Sequence, residues 1–143
     1  MLITAGTKDN FNTMTASWGG LGVLWEENVS FCFVRPQRYT YEFLEKSDYY
    51  TLCFFDEWGR EALEYCGTHS GREVDKVAGA RLTPAEDNGV VYFIEARLVL
   101  ICRKIYYQDI MPENFLDKEI EKFYSDKDYH RMYIGRVEKC LLK

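Results

Sequence analysis

The order of apolar and polar side chains along this chain predicts short strands. Leu2 to Thr7 is an apolar run of strand length, Lys8-Asp9-Asn10 interrupts it, and Phe11 to Ser17 resumes with Phe11, Thr13 and Thr15 on alternate positions. Two such runs about a short polar turn predict a β-hairpin. Leu21 to Trp25 is apolar, Glu26-Glu27-Asn28 reads as a turn, and Val29 to Val34 is a third strand ending at Arg35-Pro36. The break falls there because proline has no N–H to give a ladder. Tyr49 to Phe55 is a fourth strand. Asp87-Asn88-Gly89 predicts a turn, after which Val90 to Tyr107 reads as one long β stretch interrupted by Glu95 and Arg97. Strands of that length commonly bend or bulge. Met132 to Leu142 closes the chain as a final strand.

Short helices fall between the strands. Thr40 is placed to cap a helix over Tyr41 to Lys46, and Asp56 to cap one that runs through Glu64-Tyr65 and ends near Gly67. Ser70-Gly71-Arg72-Glu73 matches a capping box and predicts a helix to about Ala78. Pro112 opens a charged helical segment to Phe123. The sum is a mainly β protein, a small barrel of six or so mostly antiparallel strands with short helical excursions. Gly19-Gly20-Leu21-Gly22 is not a dinucleotide fingerprint, because the β-α alternation of a doubly wound sheet is missing.

Composition narrows this picture. At 143 residues the chain reads as one domain, residues 1–143. The net charge of −5 argues against general nucleic-acid binding, which needs a basic footprint. No apolar run approaches the roughly 20 residues of a membrane span, and no basic segment precedes Met1-Leu2-Ile3-Thr4 as in a signal peptide. The chain opens directly inside a strand pattern, which reads as a form lacking an N-terminal lead-in segment. Cys32, Cys53, Cys66, Cys102 and Cys140 form no C-x-x-C pair, so no metal site or dithiol motif is expected. They read as buried, reduced thiols of a cytoplasmic protein.

Candidate chemistry gathers in three clusters. Asn12-Thr13-Met14-Thr15-Ala16-Ser17-Trp18 loses its bulky residues at Ala16 and Ser17 and runs into Gly19-Gly20. Small residues at a strand end let a ligand or a second backbone approach, and they equally suit a plain Gly-rich turn. Arg35-Pro36-Gln37-Arg38-Tyr39-Thr40 puts two guanidiniums and a hydroxyl at the mouth of a helix, either an anion pocket or a solvated turn. His69-Ser70-Gly71-Arg72 with Asp75 and Lys76 is again anion-friendly, although the capping box alone accounts for Ser70 and Glu73. His130, before the last strand, is a candidate proton donor or a hydrogen-bonded edge residue. No serine sits in a nucleophile elbow.

In that order, Asn12 to Trp18, Arg35 to Thr40, Ser70-Gly71-Arg72 with Asp75-Lys76, and Tyr129-His130-Arg131-Met132-Tyr133-Ile134-Gly135 resemble the flavin reductase-like proteins of the FMN-binding split barrel, flavoredoxin-type members included. The resemblance runs over essentially the whole chain. It implies a homodimer of Greek-key split β-barrels with FMN near the subunit interface. It implies the flavin ring along Asn12 to Ser17, with main-chain amides and Thr15 or Ser17 at its polar edge and Trp18 beside it. Arg35, Arg38 and Thr40, in the Arg35-Pro36 to Tyr39-Thr40 stretch, would hold the phosphate end, with Ser70, Gly71 and Lys76 as further candidates. His130 would lie near the flavin face. The implied activity is hydride transfer from NAD(P)H to the flavin. The alternatives are an FMN-carrying electron-transfer protein serving a protein partner, and a non-catalytic split-barrel binding module.

Overall fold

The computed structural model describes residues 1–143. Nine strands, three α-helices and short 3-10 turns follow one another along the chain. Strands β1 (Leu2–Thr7), β2 (Asn10–Thr15), β3 (Gly19–Leu24), β4 (Glu27–Val34), β5 (Tyr49–Phe54), β8 (Leu98–Asp109) and β9 (Arg131–Leu142) form one antiparallel sheet. Its order is β2-β1-β5-β8-β9-β4-β3. A separate hairpin joins β6 (Pro84–Asp87) and β7 (Val90–Phe93). The helices are α1 (Tyr39–Lys46), α2 (Arg60–Thr68) and α3 (Lys76–Gly79).

Strands β2 and β3 follow each other in sequence yet stand at opposite edges of the large sheet. Seven strands laid flat at about 4.8 Å spacing would hold those edges about 29 Å apart, whereas the link from Thr15 to Gly19 reaches about 14 Å at most. The sheet therefore curls until its edges face one another across an open seam. That is a split β-barrel.

Alternation sorts the side chains into two cores. Ile3, Ala5, Tyr50, Leu52, Leu100 and Cys102 point into the barrel. Their neighbours Leu2, Cys53, Val99 and Ile101 point outward, beneath Ala62 and Cys66 of α2 and Phe93 of β7. Strands β1, β5 and β8 are thus covered on both faces, and each fully buried Leu or Ile there contributes about 1.5–3 kcal/mol. Tyr50 fills the barrel centre, where its hydroxyl meets Ser30 Oγ at 2.8 Å and Ser30 reaches Cys102 Sγ at 3.2 Å. Burial pushes the Cys32 thiol up to about 12 and the Cys102 thiol to about 11, so both stay protonated. A side chain at residue 135 would collide with this ring, because a Cβ there would lie 2.3 Å from the Tyr50 hydroxyl.

An ion cluster pins α1 to the sheet. Arg131 grips Asp109 with Nε at 2.6 Å and Nη2 at 2.9 Å, and its Nη1 reaches Glu45 at 3.1 Å. The Tyr133 hydroxyl donates to the other Glu45 oxygen at 2.6 Å. The last turn of α1 is therefore tied to β8 and β9.

Several local expectations change. The stretch Val90 to Tyr107 is two strands, because the chain turns at Ile94–Arg97. There the Ala96 amide bonds the Phe93 carbonyl and Glu95 accepts from the Thr83 amide at 3.0 Å. The bulges fall later, at Ile101/Cys102 and Lys104/Tyr106. Strand β2 stops at Thr15, and the β3–β4 turn lies at Trp25-Glu26, both with positive φ. Thr40 does not cap α1, since its buried hydroxyl accepts from Asn12 Nδ2 at 2.8 Å instead. Asp56 precedes a 3-10 turn with no side-chain cap, and α2 runs through Gly67 to Thr68. The Ser70–Glu73 box does not form: the Glu73 and Val74 amides bond the Ser70 carbonyl, and Asp75 caps α3. The Pro112–Phe123 segment is two 3-10 turns, and Cys140 is exposed.

The substitution Gly135→Ala should destabilise the fold by about 1–3 kcal/mol in urea unfolding, since it forces the Tyr50 ring aside. Combining it with Tyr50→Leu should cost less than the sum of the two single changes, because the clash is then gone.

Candidate functional site

The seam is lined by the segment that crosses it. Beyond Thr15 the chain leaves the ladder of β1 and has not yet joined that of β4. The Ala16 amide is taken by the Met1 carbonyl at 3.0 Å, whereas those of Ser17 and Trp18 have no protein acceptor. Beside them opens a cavity of about 190 Å³. Met14, Thr15, Ala16, Ser17 and Trp18 form one wall, and Phe33, Arg35, Arg38 and His130 form the other. Thr15 spends its hydroxyl on the Leu63 carbonyl, so the free donors of this wall are the two amides and the Ser17 hydroxyl.

A second cavity of about 150 Å³ adjoins the first and shares Arg38 with it. Its floor is the start of α1, where the Tyr39 and Thr40 amides have no protein acceptor, as expected of a helix's first turn. Across from them stand Gly67, Thr68, His69, Ser70 and Gly71. Arg72 ties that loop to α1, donating to the Gln37 carbonyl at 3.2 Å and to Glu42, with its guanidinium 4.6 Å from the Tyr39 ring centre. Lys76, 4% exposed, donates to the Thr13 carbonyl at 2.7 Å, and burial holds its ammonium down at about 8. Arg38 gives Nη1 to the Gly67 carbonyl at 3.3 Å, but its buried Nη2 has no partner. A buried guanidinium donor without an acceptor costs about 1–3 kcal/mol or more. The arrangement is built to receive an anion.

The two arginines differ. Arg35 donates from Nη1 to Asp128 at 2.6 Å and from Nη2 to the Phe123 carbonyl at 2.8 Å. Gln37 also donates to Asp128, and Arg35 holds that carboxyl below the usual carboxylate range. Arg35 is therefore an internal tie between the end of β4 and the 123–128 segment.

His130, 8% exposed, shares a 2.8 Å hydrogen bond between Nδ1 and the Tyr124 hydroxyl. The Trp18 ring lies against it at 4.8 Å and meets Phe123 edge-on at 5.8 Å. Burial, aided by the Arg35 charge, lowers its pKa from 6.5 to about 4, so it is a neutral imidazole at pH 7.

The residues picked from sequence divide between the cavities. Met14 to Trp18, Arg35 and His130 line the first, and Asn12, Tyr39, Thr40, Ser70, Gly71 and Lys76 line the second. Arg38 belongs to both. Asn12 thus lines the second cavity and not the first, and Arg35 lines the first. The Thr13 hydroxyl turns inward to Thr4 at 2.9 Å, and Pro36 lines neither cavity. His69 and Gln37, both within the clusters read from sequence, also line the second cavity, whereas Phe33, Gly67 and Thr68 were not foreseen. Phe33 could have been found from its alternation with Arg35 on leaving β4, but the others depend on where α2 ends.

The fold and the joined cavities define a split-barrel protein with a ligand cleft along its open seam. The chain belongs to the flavin reductase like domain family, which matches residues 1–143. Its structure is similar to an FMN-binding protein from Thermus thermophilus, with TM-score 0.76 and 20% identity, over 99% of this chain and 70% of that one. Flavoredoxin from Methanosarcina acetivorans gives 0.76 at 19% identity, over 99% and 67%. Nitrilotriacetate monooxygenase component B from Bacillus cereus gives 0.77 at 17% identity, over 99% and 67%. At these identities the likeness establishes a shared fold. Comparison with curated proteins finds no match.

His130 generates a pH prediction. Unfolded, it binds a proton below pH 6.5, and folded only below about 4, so stability falls as pH falls through that window. NMR of the ring protons should show His130 neutral at pH 5.5, and the loss of stability between pH 6.5 and 4 should be smaller in His130→Gln.

Proposed function

We propose that this chain is an FMN-binding oxidoreductase of the flavin reductase type, accepting hydride from NAD(P)H. The observation that carries the reading is Arg38, whose buried, unpartnered Nη2 stands where a ring-sized cavity meets an anion pocket. A phosphate of about −1.5 to −2 charge satisfies that donor, together with the Tyr39 and Thr40 amides, Lys76 and Ser70. The Ser17 and Trp18 amides and the Ser17 hydroxyl suit the polar edge of a flat heterocycle. Bound FMN would supply the redox centre, and the protein supplies position and electrostatics. Trp18 and neutral His130 line the first cavity, with Phe123 packed against Trp18, so this part of the lining carries no charge.

Purified protein should be yellow or take up FMN, and stopped-flow mixing with NADH or NADPH should bleach it. Persistent colour with both would leave an electron carrier as the correct reading, and indifference to FMN would sink both. Arg38→Glu should weaken FMN far more than riboflavin, which lacks the phosphate. Arg35→Ala should weaken the two alike, because Arg35 acts by holding the 123–128 segment.

The working unit in this reading is a homodimer in the cytoplasm. Its support is β3, an edge strand with Leu21, Val23 and Trp25 exposed and Trp25 meeting Tyr106 at 5.8 Å. An open, apolar edge is a pairing surface unless something covers it. Light scattering should give twice the mass of one chain, and Val23→Lys should shift it to monomer; a wild-type monomer refutes the assignment.

A further inference from the structure

We propose that Lys76 is an acylation site, to which an acyl phosphate held in the second cavity transfers its acyl group. The proposal goes beyond the flavin reading and needs only the anion pocket.

An acyl phosphate has three parts in a row: a phosphate, a carbonyl carbon open to attack, and an acyl group. Three features follow the same order around Lys76. The second cavity offers the unpartnered Arg38 Nη2 and the free Tyr39 and Thr40 amides to the phosphate. Lys76 lines both this cavity and an adjoining cleft of about 330 Å³, so its amine stands where the two spaces meet. In the cleft, Phe11, Val74, Val77 and Pro84 are half-buried and give an acyl group apolar contacts. Lys76 is 4% exposed, so it is not met from bulk water as a surface lysine is. It is reached through the two spaces that it lines, which makes a bound reagent the effective one.

The amine is also in a state that can attack. Burial lowers its ammonium to about 8, the Cys66 thiol opposes that shift, and the Arg38 charge adds to it. His69 in the cavity and Asp9 and Asp75 in the cleft are the other titratable groups beside it, and Asp75 Oδ1 is already held by the Val77 and Ala78 amides at 3.0 Å. At pH 7 about one Lys76 side chain in ten is the neutral nucleophile, against about one in a few thousand for an ordinary lysine. One N–H donates to the Thr13 carbonyl at 2.7 Å, which fixes the nitrogen and turns its lone pair away from that oxygen.

The transfer balances without a further reactant. The amine lone pair forms the N–C bond, the bond from the carbonyl carbon to the phosphate oxygen breaks, and the amine proton goes to the leaving phosphate. Nothing is oxidised or reduced. The amide formed is uncharged, so the anion pocket loses the Lys76 cation and its affinity for any phosphate falls.

Incubation with acetyl phosphate at pH 7, followed by mass spectrometry of the peptides, tests this. Lys76 should be acetylated about tenfold faster than the exposed Lys8 and Lys127. Inorganic phosphate should slow the reaction at Lys76 and leave the other two unchanged, and the Lys76 rate should level off above about pH 8. Arg38→Gln should remove the preference for Lys76. Acetic anhydride, which carries no phosphate, should acetylate Lys76 at nearly the same rate in wild type and Arg38→Gln, which shows that the variant keeps the amine reactive. Acetylation of Lys76 no faster than that of Lys8 and Lys127 overturns the proposal. So does a preference for Lys76 that neither inorganic phosphate nor Arg38→Gln reduces, because the amine would then be reactive without an acyl phosphate site. Both of these results leave the flavin reading standing.

Discussion

The molecule depends on one topological constraint: two strands consecutive in sequence, β2 and β3, do not pair with each other. A hairpin at that point would have consumed the backbone donors of Ala16 to Trp18 in a ladder. The strands instead run to opposite edges, and a three-residue link must span a seam it cannot close. Amides exposed there are an unmet hydrogen-bonding demand in a partly enclosed place. The curl of the barrel, the ring-sized cavity and the free outer edge of β3 all follow from that arrangement.

Polar accounting then separates side chains that look equivalent. Arg35 and Arg38 are three residues apart and chemically identical. Both Nη atoms of Arg35 have protein acceptors, Asp128 and the Phe123 carbonyl, whereas Arg38 keeps a buried donor in reserve. The chain carries a net charge of −5, yet Arg38 and Lys76 converge on one pocket. Net charge does not set the field in such a pocket, because a desolvated cation acts strongly at short range and distant carboxylates are screened. The Arg131–Asp109–Glu45 cluster ties the last turn of α1 to β8 and β9.

Much of the barrel was legible in the chain because strands betray themselves locally. Leu2–Thr7 was read with its observed limits, and Val29–Val34, Tyr49–Phe55 and Met132–Leu142 lie within a residue or two of theirs. Illegible features were those in which a distant group outbid a local one. Thr40 has the chemistry of a cap, but Asn12, 28 residues away, takes its hydroxyl. Ser70 and Glu73 have the spacing of a capping box, but Asp75 provides the cap and leaves Ser70 facing a pocket. The run from Val90 to Tyr107 splits because Arg97 finds the Phe54 carbonyl at 2.8 Å, a partner on another strand.

The sequence by itself determined most strands of the large sheet, though not the β6–β7 hairpin, together with the predominance of antiparallel pairing and the three segments that line the two cavities. It did so through hydrophobic alternation, proline and glycine, which act within a few residues. Only the tertiary structure decided that Asn12 lines the second cavity, that Arg35 is tied internally, and that Arg38 keeps one donor unpaired between the two cavities. Those assignments are set by which donors remain unpaired after every long-range contact has formed, and unpaired donors are a property of the completed fold.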